Sequence, residues 1–180
     1  MSVTMNAVAQ GIIDDALADT KAWLRIETAF DDGALDALLR SAIGMAEDFC
    51  AQLMFVRAGV ETIAATGAWT RLRACPVRAI TGARSLAADG TATVLAVDAY
   101  AVDISADGDG WARVTATGSD SRVEYDVTAG IAADWASLPD ALRQGIVRLA
   151  AHLFAERAGD GPPPAIVTAL WRPWRRMRMA

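Results

Sequence analysis

Asp32-Gly33-Ala34-Leu35-Asp36-Ala37-Leu38-Leu39-Arg40-Ser41-Ala42-Ile43-Gly44-Met45-Ala46-Glu47-Asp48-Phe49-Cys50-Ala51-Gln52-Leu53 is the stretch whose periodicity sets the frame for the rest of the chain. Leu35, Leu38, Leu39, Ala42, Met45, Ala46, Phe49 and Leu53 recur at steps of three and four. They form one apolar stripe and predict a helix over residues 32–53. Immediately after it the pattern changes. From Phe55 to Thr128 the chain is cut by Gly59, Gly67, Pro76, Gly82, Gly90, Gly108, Gly110 and Gly118. The runs between them, residues 60–65, 69–73, 80–86, 92–97, 100–104, 111–115 and 122–127, are short and β-type. Val123-Glu124-Tyr125-Asp126-Val127 alternates strictly, as a half-buried strand does. Asp89-Gly90 and Asp107-Gly108-Asp109-Gly110 are hairpin signals, because tight turns need the positive φ that glycine supplies.

Outward from this core, helix returns on both sides. Residues 17–26 form a short helix with Asp14 or Asp15 as its cap and Leu17, Trp23, Leu24 and Ile26 as its apolar contacts. On the far side, Ser137-Leu138-Pro139-Asp140 has a Ser cap, an early proline and an acid three residues on. The helix it opens runs to about Arg157, burying Leu142, Ile146, Leu149, Ala150 and Leu153. Pro162, Pro163 and Pro164 stop it, since proline lacks the helical N–H. The expected fold is α+β: a helical bundle with an inserted antiparallel β module and an extended basic C-terminal tail. Its parts are residues 1–54, the N-terminal helices; 55–130, the β module; 131–158, the last bundle helix; and 159–180, a Pro-rich linker and basic tail.

With 180 residues the chain can bury a full core. Hydrophobic residues make up 53%, and the mean hydropathy is +0.24, so apolar surface is in surplus for a lone domain. No apolar run reaches membrane-spanning length, and residues 1–10 do not read as a signal peptide. Cys50 and Cys75 sit in unrelated contexts and are expected reduced. The four arginines of the last nine residues contribute +4 to a net charge of -5, so residues 1–171 carry -9. An acidic body of this kind is a poor wrapper of nucleic acid.

Chemistry-bearing residues are sparse. The one histidine, His152, lies mid-helix without a positioned partner and reads as a packed helix residue. One His and two Cys leave no zinc set. Asp103, Asp107 and Asp109 lack the late bidentate Glu of a calcium loop and read as a polar hairpin. There is no nucleophile elbow, phosphate loop or dinucleotide fingerprint. No catalytic residue, metal or cofactor is expected, and the chain does not read as an enzyme. The segment that asks for a function is Trp171-Arg172-Pro173-Trp174-Arg175-Arg176-Met177-Arg178-Met179, since Trp and Arg dominate interface energetics.

Several strings, in order and spacing, resemble the head–tail connector (adaptor) proteins of long-tailed phages and phage-derived gene transfer agents. Lys21-Ala22-Trp23-Leu24-Arg25-Ile26 is similar to that family's K-A-x-L-R-I/V. Leu72-Arg73-Ala74-Cys75-Pro76-Val77-Arg78-Ala79-Ile80 is similar to its L-x-x-x-P-V-x-x-I/V. Asp89-Gly90, Tyr100-Ala101-Val102 and Val127-Thr128-Ala129-Gly130 stand where its D-G, Y-x-V and Y/V-x-A-G stand. Leu138-Pro139-Asp140-Ala141-Leu142-Arg143, followed by Ala151-His152-Leu153-Phe154-Ala155-Glu156-Arg157, resembles its long terminal helix. Two departures stand out: Gly145 in place of a usual Ala, and the Trp- and Arg-rich end.

The resemblance implies a homo-oligomeric ring, commonly a dodecamer, below the portal protein in a virion or phage-like particle assembled in the bacterial cytoplasm. Such a ring extends the channel through which double-stranded DNA passes without sequence recognition, and it carries the next tail-side connector or stopper. No membrane is involved. On this reading residues 171–179 leave the subunit body and enter the portal. Trp171 and Trp174 fill apolar pockets, while Arg172, Arg175, Arg176 and Arg178 pair with portal carboxylates or carbonyls. The alternative is a small nucleic-acid-binding module working through the same basic tail.

Overall fold

The computed structural model describes residues 1–115, 121–156 and 162–176. Its elements are β1 (Ser2–Met5), α1 (Gln10–Leu24), α2 (Asp32–Cys50), β2 (Arg57–Ala64), β3 (Thr70–Arg71), β4 (Val77–Leu86), β5 (Ala92–Val94), β6 (Tyr100–Ile104), β7 (Gly110–Val114), β8 (Arg122–Ala129), α3 (Asp140–Ala155) and α4 (Ala165–Trp171). Single 3-10 turns cover Val97–Ala99 and Arg172–Trp174. The chain divides into a β unit, Met1–Ala7 with Val56–Ile131, and a helical unit, Val8–Phe55 with Ala132–Ala180.

In the helical unit the buried stripe of α2 is Leu35, Leu39, Ala42, Ile43, Ala46 and Cys50. Met45, counted on the stripe by spacing, is exposed. The helix stops at Cys50, three residues before the expected end, because Ala51 turns left-handed (φ 54°). α1 begins at Gln10, seven residues earlier than expected. Its buried residues are Ile12, Ile13, Ala16 and Thr20, so Asp14 and Asp15 lie inside the helix on its wet side and cap nothing. Leu17 and Trp23 pointed to the wrong face: Leu17 is half-buried and Trp23 is 50% exposed, with the Arg148 guanidinium 4.8 Å from its ring. α3 buries Leu142, Gly145, Ile146, Val147, Leu149, Ala150 and Ala151, and Leu153 only partly. Ser137 does not cap it. Instead Ser137 and Asp134 exchange bonds, Asp134 N–H to Ser137 Oγ (3.2 Å) and Ser137 N–H to Asp134 Oδ1 (2.8 Å), closing the turn ahead of the helix. The Trp135 indole in that turn is buried and donates to Asp19 Oδ2 on α1 at 2.8 Å. The expected end of α3 at Arg157 lies outside the described residues.

The β unit holds two antiparallel sheets, ordered β1-β2-β8-β4-β5 and β3-β7-β6. All seven expected runs contain strands. β8 is central because its alternation is complete: Val123, Tyr125, Val127 and Ala129 are buried. On its other face Asp126 accepts from both terminal guanidinium nitrogens of Arg84 on β4, at 3.0 and 2.7 Å. The two expected hairpin turns are present, with Gly90 at φ 88° and Gly108 at φ 79°. Residues 1–7, grouped by sequence with the N-terminal helices, belong to this unit. β1 pairs with β2 so closely that a Cβ at Gly59 would stand 2.5 Å from Thr4 O. Four residues are too few to show a period, and the edge of β2 supplies the partners that make them a strand.

Two buried polar side chains in this unit differ in how they are satisfied. Glu61, on β2, is fully buried and accepts the backbone N–H groups of Arg73 (2.6 Å) and Ala74 (3.0 Å), tying the five-stranded sheet to the segment after β3. Tyr125 stacks edge-on against Tyr100 (ring centroids 6.1 Å), and its buried hydroxyl has no hydrogen-bond partner among the described residues. Burial, with a contribution from Tyr100, pushes the Tyr125 phenol up to about 12. In the helical unit, burial pushes the Cys50 thiol up to about 11.

Both groups ionise less readily folded than unfolded, so the folded state favours their neutral forms. The contribution of these two groups to stability is therefore flat below pH 9, the ordinary thiol value, and falls above it as the unfolded chain loses first its thiol and then its phenol protons, up to the folded values near 11 and 12. Tyr125→Phe removes an unsatisfied hydroxyl. It is expected to leave stability at pH 7 equal or higher by up to ~1 kcal/mol and to flatten the decline between pH 10 and 12. Melting temperatures from pH 7 to 12 check this, and a variant that declines as steeply as the parent overturns it.

Candidate docking surface at the C-terminal end

The C-terminal segment is built on one glycine. α4 restarts helix directly after Pro164 and buries Val167 and Trp171, one turn apart on the same face. Trp171 is 3% exposed. Its indole lies over Gly145 of α3, where a Cβ would stand 2.1 Å from Nε1 and 2.7 Å from Cε2. Nε1 donates to Leu142 O at 3.4 Å, and the Phe49 ring of α2 packs on the other side with centroids 6.0 Å apart. A tryptophan spends no cavity here: it fills a notch that glycine leaves in α3.

Beyond Trp171 the chain is strapped to the end of α2. The Gln52 side-chain amide donates to Trp174 O (2.5 Å), and Arg176 N–H donates to Cys50 O (2.9 Å). Cys50 is the last residue of α2, so its carbonyl has no intrahelical donor, and the strap supplies one. The Arg175 guanidinium sits 5.7 Å from the Phe49 ring. Arg175 and Arg176 thus gather at the negative end of the α2 dipole, where cations are stabilised.

The residues singled out by sequence are therefore brought together, though not as an arm standing off the body. Trp171 is buried in the chain's own helical unit. Trp174 and Arg176 are half-buried, and Arg172, Pro173 and Arg175 are exposed. Arg178 lies outside the described residues. The residues that seat the segment, Gly145, Phe49, Cys50 and Gln52, were not assigned to the site by sequence. The one available signal was a glycine inside a helical stripe, which usually has a packing reason.

Elsewhere among the described residues no group of three His, Cys, Asp or Glu side chains is placed to hold a metal ion. His152 is half-buried on α3, and Asp109 is held by Arg71 at 2.7 Å. Both cysteines are buried. No described helix is long and apolar enough to cross a membrane. Apolar side chains do stand in solvent: Phe30 in the helical unit is 92% exposed, and Val94 and Val97 in the β unit are 78% and 83% exposed. Phe30 is flanked by Glu27, Asp31 and Asp32, an acidic setting opposite in sign to the C-terminal segment.

No protein-family model matches the chain, and no curated protein matches it. Solved structures do. The neck of an empty gene transfer agent particle computed with C6 symmetry contains a chain 26% identical, with a TM-score of 0.81 over 100% of this chain and 98% of that one. The virion of a native gene transfer agent particle contains one 28% identical, with a TM-score of 0.75 over 100% and 98%. The neck of a native particle computed with C12 symmetry contains one 27% identical, with a TM-score of 0.74 over 98% and 97%. The resemblance to phage-type head–tail connectors that the sequence motifs carry is upheld by these whole-chain likenesses.

Trp171→Ala is expected to lower the stability of the isolated protein by about 3–5 kcal/mol, because the emptied notch cannot collapse around Gly145. Trp174→Ala, half-buried, is expected to cost about 1 kcal/mol or less. Urea unfolding of the two variants measures the difference, and equal losses would show that Trp171 is not the anchor.

Proposed function

We propose that the chain is the subunit of a head–tail connector ring at the neck of a phage-type particle, below the portal, where it extends the DNA channel and carries the next tail-side component. One observation carries this reading: likeness over 97–100% of both chains to proteins in particle necks and a virion. Likeness along the whole of this chain to components of particle necks favours a structural role. The symmetries of those necks, C6 and C12, support a ring of repeated copies, and a dodecamer is the count we adopt.

A closed ring needs two different faces per subunit that fit each other. Exposed Phe30, Val94 and Val97 are apolar positions such faces would cover. The acidic body suits a lumen that must pass DNA without binding it. Its opposite, the cationic C-terminal segment with Arg172, Trp174, Arg175, Arg176 and Arg178, is the docking element for the portal. Trp171 anchors that element from within the subunit and does not enter the portal. Repeated around a ring, a modest docking energy per subunit becomes large avidity.

Reconstruction of intact particles tests the role: the chain is expected as a closed ring at the portal vertex, and scattered copies elsewhere overturn it. Trp174→Ala together with Arg172→Ala and Arg175→Ala is expected to yield filled heads without connector or tail. If tails attach normally and packaged DNA is instead lost, the segment serves the nucleic acid and the portal assignment fails.

A further inference from the structure

We infer that the portal-docking element is a pre-ordered knob, residues 172–176, whose position is set by the seat of Trp171 on Gly145 and by the strap to the end of α2. The inference rests on the connector reading above and names what presents the segment and what surface it fits.

A free basic tail would lose its conformational freedom at every docking event around the ring, and that cost subtracts from affinity. Here most of it is met during folding. Trp171 is fixed on three sides by Gly145, Leu142 O and the Phe49 ring. Three residues on, the backbone is held by Gln52, and two further on by Cys50 O. Pro173 fixes one more φ inside the 3-10 turn. Arg172 and Arg175 stand exposed on this scaffold, with Trp174 half-exposed between them. From residue 161 to the end the chain holds no acid. The complementary face is therefore a protein surface with an apolar slot for the Trp174 edge and carboxylates beside it to take Arg172 and Arg175. We commit to the portal as its bearer. A phosphate backbone would satisfy the arginines but would give no use to a rigid, half-buried indole between them.

Gly145 and Gln52 are then positioning residues that touch no partner. Gly145→Ala would drive a methyl into the indole and shift Trp171, and with it the knob. Gln52→Ala would release the strap at Trp174 while leaving the Trp171 seat untouched. The experiment adds each full-length variant to heads that carry the portal but lack this chain and measures bound copies at rising salt. Gly145→Ala is expected to weaken docking on the order of tenfold or more, and Gln52→Ala less but in the same direction, both keeping the parent's salt dependence. Arg172→Ala with Arg175→Ala is expected to flatten that dependence. If Gly145→Ala fails to fold, Gln52→Ala decides alone. If the arginine and Trp174 variants fail to dock while Gln52→Ala and a folded Gly145→Ala dock like the parent, the knob inference falls and the connector reading stands. If no variant of residues 172–176 affects docking, the portal assignment itself falls. Binding of the parent to DNA in place of heads, lost in the arginine variant, also overturns the inference.

Discussion

The contact between the Trp171 indole and the bare backbone at Gly145 holds the C-terminal end of the helical unit together. It works by exclusion. With any side chain at 145 the space 2.1 Å from Nε1 is taken, and the indole cannot lie between α3 and Phe49 of α2. With glycine there, one large aromatic unites three helices that would otherwise meet only along their own stripes. A glycine inside a helix costs on the order of 1 kcal/mol against alanine. Burying an indole returns more than that. The two departures from the connector pattern, the glycine and the Trp-rich end, are thus halves of one contact.

That contact also decides what the basic end can do. Because α2 stops at a left-handed Ala51, the carbonyl of Cys50 is left over and takes Arg176 N–H, while Gln52 reaches Trp174 O. The arginines then collect at a helix C-terminus, where the backbone itself favours positive charge. Charge that looks like a loose polycation in the sequence becomes a shaped surface. In the β unit the anchoring is polar as well. Glu61 satisfies two N–H groups of the segment after β3, and Arg84 holds Asp126 across two strands. These contacts organise strands whose own lengths, two to ten residues, would not fix a register unaided.

The chain's likeness to components of gene transfer agent necks goes with an ordinary set of side-chain environments. Several of its charged groups are ion-paired, among them Lys21 with Asp32 and Arg84 with Asp126, its cysteines are buried, and burial keeps the Cys50 thiol neutral far above neutral pH. Its surplus apolar residues lie partly in solvent, at Phe30, Val94 and Val97, as subunit surfaces meant for covering do.

The sequence by itself determined the α+β class, the switch of period at residue 55 and back, all seven strand runs, both glycine turns and the resemblance to connectors. These follow from local rules: side-chain period, glycine's positive φ and proline's missing N–H. Only the tertiary structure decided the rest. Which face of α1 is buried could not be read off, because Leu17 and Trp23 are as apolar as Ile12 and Ile13, and only the packing of α2 and α3 selects between them. β1 exists because β2 has an edge to lend. Ser137 pairs with Asp134 instead of capping α3, since a nearer partner wins. The site divides the same way. The sequence marked Trp171, Trp174 and the arginines as interface residues from their chemistry. It could not show that Trp171 faces inward, because that depends on a missing Cβ twenty-six residues away, a contact with no trace in local composition.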